Sequence, residues 1–269
     1  GGTPMNSGLT DDQLKQLLEV AVQASHAASI PIQAYFERQD LGVQEKQDGS
    51  PVTQADQEAE TLIRAHLLSQ SGVGPLDILG EEAGLQGNGT RWRWTVDPID
   101  GTRSFIQGIP LFGTLIALLD TETNLPILGV IHLPMLGLVF AGGRGQGATC
   151  QGKQIRVAPD RPMKTSILAV GDIAQFTSAN CVQDYHRLIT LSEYVRGYTD
   201  CFGHGMVLNG SVGAMLDPAL NPWDILATQV LVEEAGGKIL LRPSQVPGKV
   251  DALFGSPGLV AQIAKVLSF

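Results

Sequence analysis

Apolar residues at Leu14, Leu17, Leu18, Ala21, Ala24 and Ala28 recur at the three- and four-residue spacing of one helix face. Thr10 and Gln13 stand as a capping box ahead of them. Asp11 and Asp12 favour the positive end of the same helix, which Pro31 is expected to kink or end. A polar turn over Gln44–Pro51 precedes a second helix, expected from about Thr53 to Ser69. The period then changes from helical to two. Trp92-Arg93-Trp94-Thr95-Val96 alternates as a half-buried strand does, and Leu111–Leu119 reads as another strand.

Residues 123–143 carry no Asp, Glu, Lys or Arg, a length that would span a bilayer. Pro126, Pro134, Gly129 and Gly137 break the run. Ile127–Ile131 and Leu138–Ala141 are therefore expected as a buried hairpin around a Leu133–Gly137 turn, without a membrane span. A Gly-rich turn over Gly142–Gly152 follows; it lacks the spacing of a nucleotide-binding loop. Beyond Pro162 short strands alternate with helices: a strand at Ile167–Val170, a helix at Val182–Leu191, and a helix at Trp223–Glu234 ended by Gly236-Gly237. This texture divides the chain into an α+β unit with an antiparallel sheet, residues 5–162, and a smaller α/β unit, residues 163–269.

Composition narrows the function. With 43% hydrophobic and 17% charged residues among 269, the chain can bury a sizeable core. A net charge of −9 repels phosphate backbones, so nucleic acid is not an expected partner, and a phosphorylated substrate would need a cation between it and the protein. Cys150, Cys181 and Cys201 are odd in number and widely spaced. They suit a reducing cytoplasm better than a disulfide scaffold or a cysteine zinc site. No basic-then-apolar leader is expected around Met5.

The candidate chemistry sits in Trp94-Thr95-Val96-Asp97-Pro98-Ile99-Asp100-Gly101-Thr102, where a strand runs into two carboxylates three positions apart. Such carboxylates, with the Ile99 carbonyl, can converge on a hard divalent cation, and Gly101 and Thr102 N–H groups can meet a phosphate. Taken alone, the bare pattern is better accounted for by an ordinary turn leaving a strand. The spacing of three, with Pro at 98, does not match the haloacid-dehalogenase nucleophile motif, whose carboxylates stand two apart. Glu81, after Ile78-Leu79-Gly80, and Asp224, after Pro222-Trp223, are further acidic points. Each has a bland alternative, solvated surface for the first and helix capping for the second. His204 reads as structural, and Cys201 lacks the surroundings of a thiol nucleophile.

Asp97-Pro98-Ile99-Asp100-Gly101-Thr102, with Gly80-Glu81-Glu82 before it and Pro222-Trp223-Asp224 and Glu234-Ala235-Gly236-Gly237 after it, resembles the inositol monophosphatase family in motif order over about residues 10–265. The resemblance implies a layered αβαβα sandwich, a homodimer, and two or three Mg²⁺ ions per site, with Mn²⁺ as a substitute. It implies Glu81, Asp97, the Ile99 carbonyl, Asp100 and Asp224 as metal ligands. Thr102 would be the water-positioning hydroxyl, Asp56 the acid that orients it, Glu81 a partner in catalysis, and Lys46 a basic residue near the site. Gly101, Thr102 and Arg103 would face the substrate. Arg103-Ser104-Phe105, Leu111–Leu118 and Thr199-Asp200-Cys201-Phe202-Gly203 resemble the bacterial and plant-type histidinol-phosphate phosphatase branch. Thr199, Asp217 and Asn221 depart from that branch's usual Gly, Glu and Lys.

The implied activity is hydrolysis of L-histidinol phosphate, in histidine biosynthesis, by metal-activated water. Asp200 and Asp217 are the expected partners of the substrate ammonium. Inositol 1-phosphate or broad sugar-phosphate hydrolysis is the alternative substrate class. A non-catalytic binder of phosphorylated metabolites is the alternative of another kind.

Overall fold

A computed structural model describes residues 7–38, 41–45, 51–69, 73 and 76–269. The first helix, α1 (Asp11–Phe36), starts at the expected capping box: Gln13 N–H donates to Thr10 Oγ1 at 3.1 Å and Thr10 N–H to Gln13 Oε1 at 2.9 Å. Pro31 does not end it. The helix continues for another turn because Ala28 and Ile32 on either side of Pro31 are buried in the core, and that packing outweighs the lost donor. The polar turn expected over Gln44–Pro51 is flanked by two-residue strands, β1 (Gln44–Glu45) and β2 (Pro51–Val52), paired antiparallel; residues 46–50 lie outside the described ones. Helix α2 (Gln54–Ser69) follows as expected.

Strands β3 (Asp77–Gly80), β4 (Gly84–Gln86) and β5 (Trp92–Asp100) lead into the short helix α3 (Thr102–Ile106). After it come β6 (Gly113–Asp120), β7 (Leu125–Leu133), β8 (Leu138–Gly143), β9 (Gly147–Cys150) and β10 (Lys153–Gln154). These strands form one sheet in the order β10-β9-β8-β7-β6-β5-β3-β4, antiparallel except where β3 runs parallel to β5. The charge-free stretch is the β7–β8 hairpin, and among the described residues no helix is long and apolar enough to cross a membrane. The Gly-rich stretch is more ordered than a turn, because β9 lies inside it and pairs with β8.

The rest of the chain runs β11 (Ile167–Val170), α4 (Ile173–Ser178), α5 (Val182–Leu188), β12 (Tyr194–Arg196), α6 (Asp200–Leu208) and β13 (Ala214–Leu220), then α7 (Pro222–Glu234), β14 (Lys238–Pro243), β15 (Val250–Gly255) and α8 (Pro257–Leu267). Its sheet, β12-β11-β13-β15-β14, is parallel at β11 and antiparallel elsewhere. Helices α1 and α2 cover one face of the large sheet, α6 and α7 fill the space between the two sheets, and α4, α5 and α8 cover the outer face of the small sheet. The result is the five-layer αβαβα sandwich. The expected division at 162/163 falls in the link between the sheets. We propose two units divided there, with α6 and α7 of the second seated on the first.

Gly129 sets how closely α7 approaches the large sheet. A Cβ there would lie 2.7 Å from Ala227 Cα and 2.9 Å from Ala227 O, so only glycine allows this contact. Because α7 carries Asp224 in its first turn, the contact also sets the depth of that carboxylate. Gly129→Val should cost about 1–3 kcal/mol of stability through overpacking, and should raise the divalent-cation concentration needed for half-saturation. Denaturant unfolding and metal titration check this; a variant unchanged in both would show that the contact positions nothing.

Candidate active site

Glu81 is placed by an extension of the sheet. Its N–H donates to Val96 O at 3.1 Å, so the parallel pairing of β3 with β5 runs one residue past β3 and sets Glu81 beside Asp97. The turn that follows is held by Glu60, buried on α2. Glu82 N–H and Ala83 N–H each donate to its carboxylate at 2.8 Å, and Arg64 Nε donates to it at 3.2 Å. A side chain at Gly80 would strike the Glu60 carboxylate and the Arg64 guanidinium. Sequence reasoning missed Glu60. The available signal was an acid and a base four residues apart beside the Ala59–Ile63–Leu67 apolar stripe, a place where charges need a purpose.

Side chains on a strand alternate, so carboxylates three apart would face opposite ways on regular strand. Between Asp97, opposite Leu115, and Asp100, opposite Gly113, β5 carries one residue more than β6. This bulge cancels the alternation and turns both carboxylates toward the α6–α7 side of the sheet. Pro98, which has no N–H to lose, occupies the bulge, and its carbonyl accepts from Thr114 Oγ1 at 2.8 Å. Asp100 is then fixed across the layers by Cys201 N–H, which donates to its Oδ2 at 2.7 Å from the first turn of α6.

Glu81, Asp97 and Asp224 each offer an oxygen within 4.8 Å of the others. Asn221 Nδ2 donates to Asp224 Oδ2 at 3.3 Å, whereas Asp224 Oδ1 and Asp97 Oδ1 are buried with no hydrogen-bond partner. Asp224 is thus more than a helix cap. Burial pushes the Asp97 carboxyl well above the ordinary carboxylate range, helped by the charges of Glu81, Asp224 and Asp100. Burial, then Glu81, raises Asp224 to about 7. Burial, then Asp224, raises Asp100 to about 7. Three converging carboxylates with two orphaned oxygens and no nitrogen or sulfur donor fit a hard divalent cation.

The remaining expected residues fall around this cluster. Thr102 opens α3 after Gly101, whose φ of 87° is a left-handed conformation suited to glycine, and its hydroxyl donates to the Ile99 carbonyl at 2.9 Å. Asp56 is buried at the start of α2, where its Oδ2 accepts from Thr53 N–H and Thr53 Oγ1, both at 2.9 Å. Arg103 is exposed; burial, then the Asp217 charge, raises the Asp172 carboxyl, and the Arg103 charge offsets part of that rise. Lys46 lies outside the described residues. Asp200 opens α6 with φ 55°, and its carboxyl is raised to about 8 by burial first, then by Asp100, Asp217 and Asp172.

Asp217 is only 1% exposed. Its Oδ2 lies 2.7 Å from His204 Nε2 and its Oδ1 accepts from Gln175 Nε2 at 2.9 Å. His204 Nδ1 in turn lies 2.6 Å from Thr228 Oγ1. His204 is therefore a buried bridge between β13 and α7, in line with its structural reading. Gln175 and Thr228 are partners that no local sequence pattern marked.

A sequence profile of the inositol monophosphatase family matches residues 13–264. The chain is 37% identical over 221 residues to a histidinol-phosphatase of Chlorobaculum parvum, covering 82% of this chain and 83% of that one. It is 33% identical over 230 residues to a histidinol-phosphatase of Streptomyces coelicolor, covering 82% and 84%. The fold superposes on the structure of an inositol monophosphatase from Anabaena with a TM-score of 0.80, at 26% identity, over 95% of this chain and 96% of that one.

The raised carboxyls give a pH signature. In metal-free protein they hold protons that the unfolded chain, titrating near 4, has already lost, so folding stability falls as pH rises from about 4 toward 7. The melting temperature without metal should drop between about pH 5.5 and about pH 8, and a divalent cation should restore far more at the higher pH. Calorimetry of the wild type against Asp97→Asn checks this; an undiminished slope in the variant would separate the effect from the cluster. Glu60→Gln, which keeps the shape but removes one acceptor, should weaken cation binding about tenfold in the same titration.

Proposed function

This chain belongs to the inositol monophosphatase family and is a phosphoric monoester hydrolase; from that premise we propose that it hydrolyses L-histidinol phosphate with Mg²⁺ as cofactor. The observation that carries the substrate reading is Asp200. Its half-buried carboxyl, raised to about 8, faces the charges of Asp100, Asp217 and Asp172, and a neutral leaving group does nothing to offset that repulsion. An ammonium group on the leaving alcohol does, and is drawn in by the same charges. Asp217, saturated by His204 and Gln175, acts as a fixed charge behind Asp200.

Glu81, Asp97 and Asp224, with Asp100 and the Ile99 carbonyl, are the residues we assign to the cation. When bound, Mg²⁺ would neutralise the substrate phosphate and lower the pKa of a water. Thr102, with its hydroxyl proton committed to Ile99 O, has lone pairs left to accept a hydrogen bond from the attacking water and so orient it. Glu81 takes up the water proton, and Asp56 fixes the start of α2 through its bonds to Thr53. Gly101 and Thr102 N–H and the Arg103 guanidinium are assigned to the phosphoryl oxygens. Water oxygen joins phosphorus as the phosphorus–alkoxide bond breaks; the alkoxide takes a proton from solvent to leave as histidinol, and Glu81 returns the proton it took up to solvent, which closes the balance. Three free thiols support action in a reducing cytoplasm, and the family resemblance supports a homodimer.

Inorganic phosphate release from L-histidinol phosphate and inositol 1-phosphate, measured in parallel with Mg²⁺, tests the reading. The expected preference in kcat/KM is about a hundredfold, equivalent to about 2.7 kcal/mol. Asp200→Asn should erase most of it by losing activity on histidinol phosphate alone, and Asp97→Asn should abolish turnover of both. Equal losses in Asp200→Asn, or a preference for inositol phosphate, would overturn the substrate and leave the hydrolase. Full turnover in excess chelator would overturn the cofactor.

A further inference from the structure

Alternation along β5 places Arg93 and Thr95 on the same face as Asp97, and Leu79 stands two residues before Glu81 on β3. The wall that carries the metal-binding carboxylates therefore continues away from them. Over that continuation lies a cleft of about 420 Å³, roofed by Pro222 and Trp223 at the head of α7 and closed by Leu241 and Val250 of the small sheet. That volume is at the small end of the range for small-molecule sites.

Three polar atoms of the lining residues are buried and have no hydrogen-bond partner: Arg93 Nε, Thr95 Oγ1 and Trp223 Nε1. Thr95 is 3% exposed. Buried polar groups are nearly always paired, and each unpaired one is costly, so three around one cleft need a reason. Two of the three can only donate, and the hydroxyl can. No acidic residue is among the described residues that line the cleft, and Arg93 is its one cation, in a chain of net charge −9. The other walls are largely aliphatic, with Leu79, Leu119, Leu125 and Leu226 among them.

We propose that this cleft is a second binding site, for a small amphipathic carboxylate whose head accepts from Arg93, Thr95 and Trp223 and whose apolar body lies along the leucines. The site is separate from the carboxylate cluster and independent of the substrate reading. The cleft's own amides, Asn124 and Gln229, do not pair with these three groups, so a carboxylate supplies the acceptor they lack, and aliphatic walls without a second cation suit one anionic head on a hydrocarbon body. Charge-assisted hydrogen bonds make this head preferable to a neutral one.

Octanoate is the probe, titrated into metal-free full-length protein by calorimetry and by fluorescence of the tryptophans, with octanol as the neutral counterpart. Expected are saturable one-to-one binding of octanoate, at least tenfold weaker binding of octanol, and retention of octanoate binding in Asp97→Asn. Thr95→Val keeps the shape and removes the hydroxyl; Arg93→Met keeps the stem and removes the charge. Each should weaken octanoate about tenfold while leaving the melting temperature at or above that of the wild type. Absence of saturable binding, equal binding of octanol, or affinity unchanged in both variants would overturn the proposal. Displacement by inorganic phosphate, or loss of binding in Asp97→Asn, would place the anion at the carboxylate cluster and overturn it as well.

Discussion

Three carboxylates held within 4.8 Å of one another repel, and the surrounding structure is organised to keep them there. No single element could do so. Glu81 is held by the ladder bond to Val96 and by the Glu60–Arg64 pair beneath its turn; Asp97 is held by the strand before a bulge; Asp224 is held by a helix that Gly129 lets settle close to the sheet. The energy stored in this arrangement appears as an Asp97 carboxyl pushed well above the ordinary range and an Asp224 carboxyl raised to about 7, which suits a site completed by a cation. Chelation energy then offsets the repulsion, so cation binding and local folding are one equilibrium.

The second electrostatic feature grows from the first. Cys201 N–H ties Asp100 to the start of α6, and the same turn presents Asp200 in a left-handed conformation among Asp100, Asp172 and Asp217. His204 and Thr228 then lock Asp217 between β13 and α7. The region beside the carboxylate cluster is therefore acidic by construction, with Arg103 offsetting it only at the exposed rim. An acidic protein that handles phosphate esters must separate two tasks: drawing in a dianion and receiving its leaving group. In the proposed reaction a cation would perform the first and the acids around Asp200 the second.

Much of this was legible along the chain. The capping box of α1, the strand at Ile167–Val170, the β7–β8 hairpin and the head of α7 stand where local patterning put them, because each depends on neighbours a few residues away. Pro31 was misleading, since a local penalty was outweighed by core burial on both sides. The Gly-rich stretch was read as a turn because β9 is short and its pairing with β8 is not written in its own residues. Gln175 and Thr228 could not be found, as their ties to Asp217 and His204 span 42 and 24 residues; of Glu60 only the local pairing with Arg64 was legible, since the turn it holds lies 22 residues away.

The amino-acid sequence by itself determined the elements, the acidic balance that demands a cation, and the motif order that identifies the family, since these rest on local propensity, on net charge and on residues adjacent in the chain. Tertiary structure decided that Glu81, Asp97 and Asp224 meet, that a one-residue bulge turns Asp97 and Asp100 the same way, and that Asp217 is sealed by a histidine. It also decided that donors of Arg93, Thr95 and Trp223 gather unpaired around one cleft. Distances between remote side chains follow from how layers pack and strands register, and a linear pattern carries no record of either.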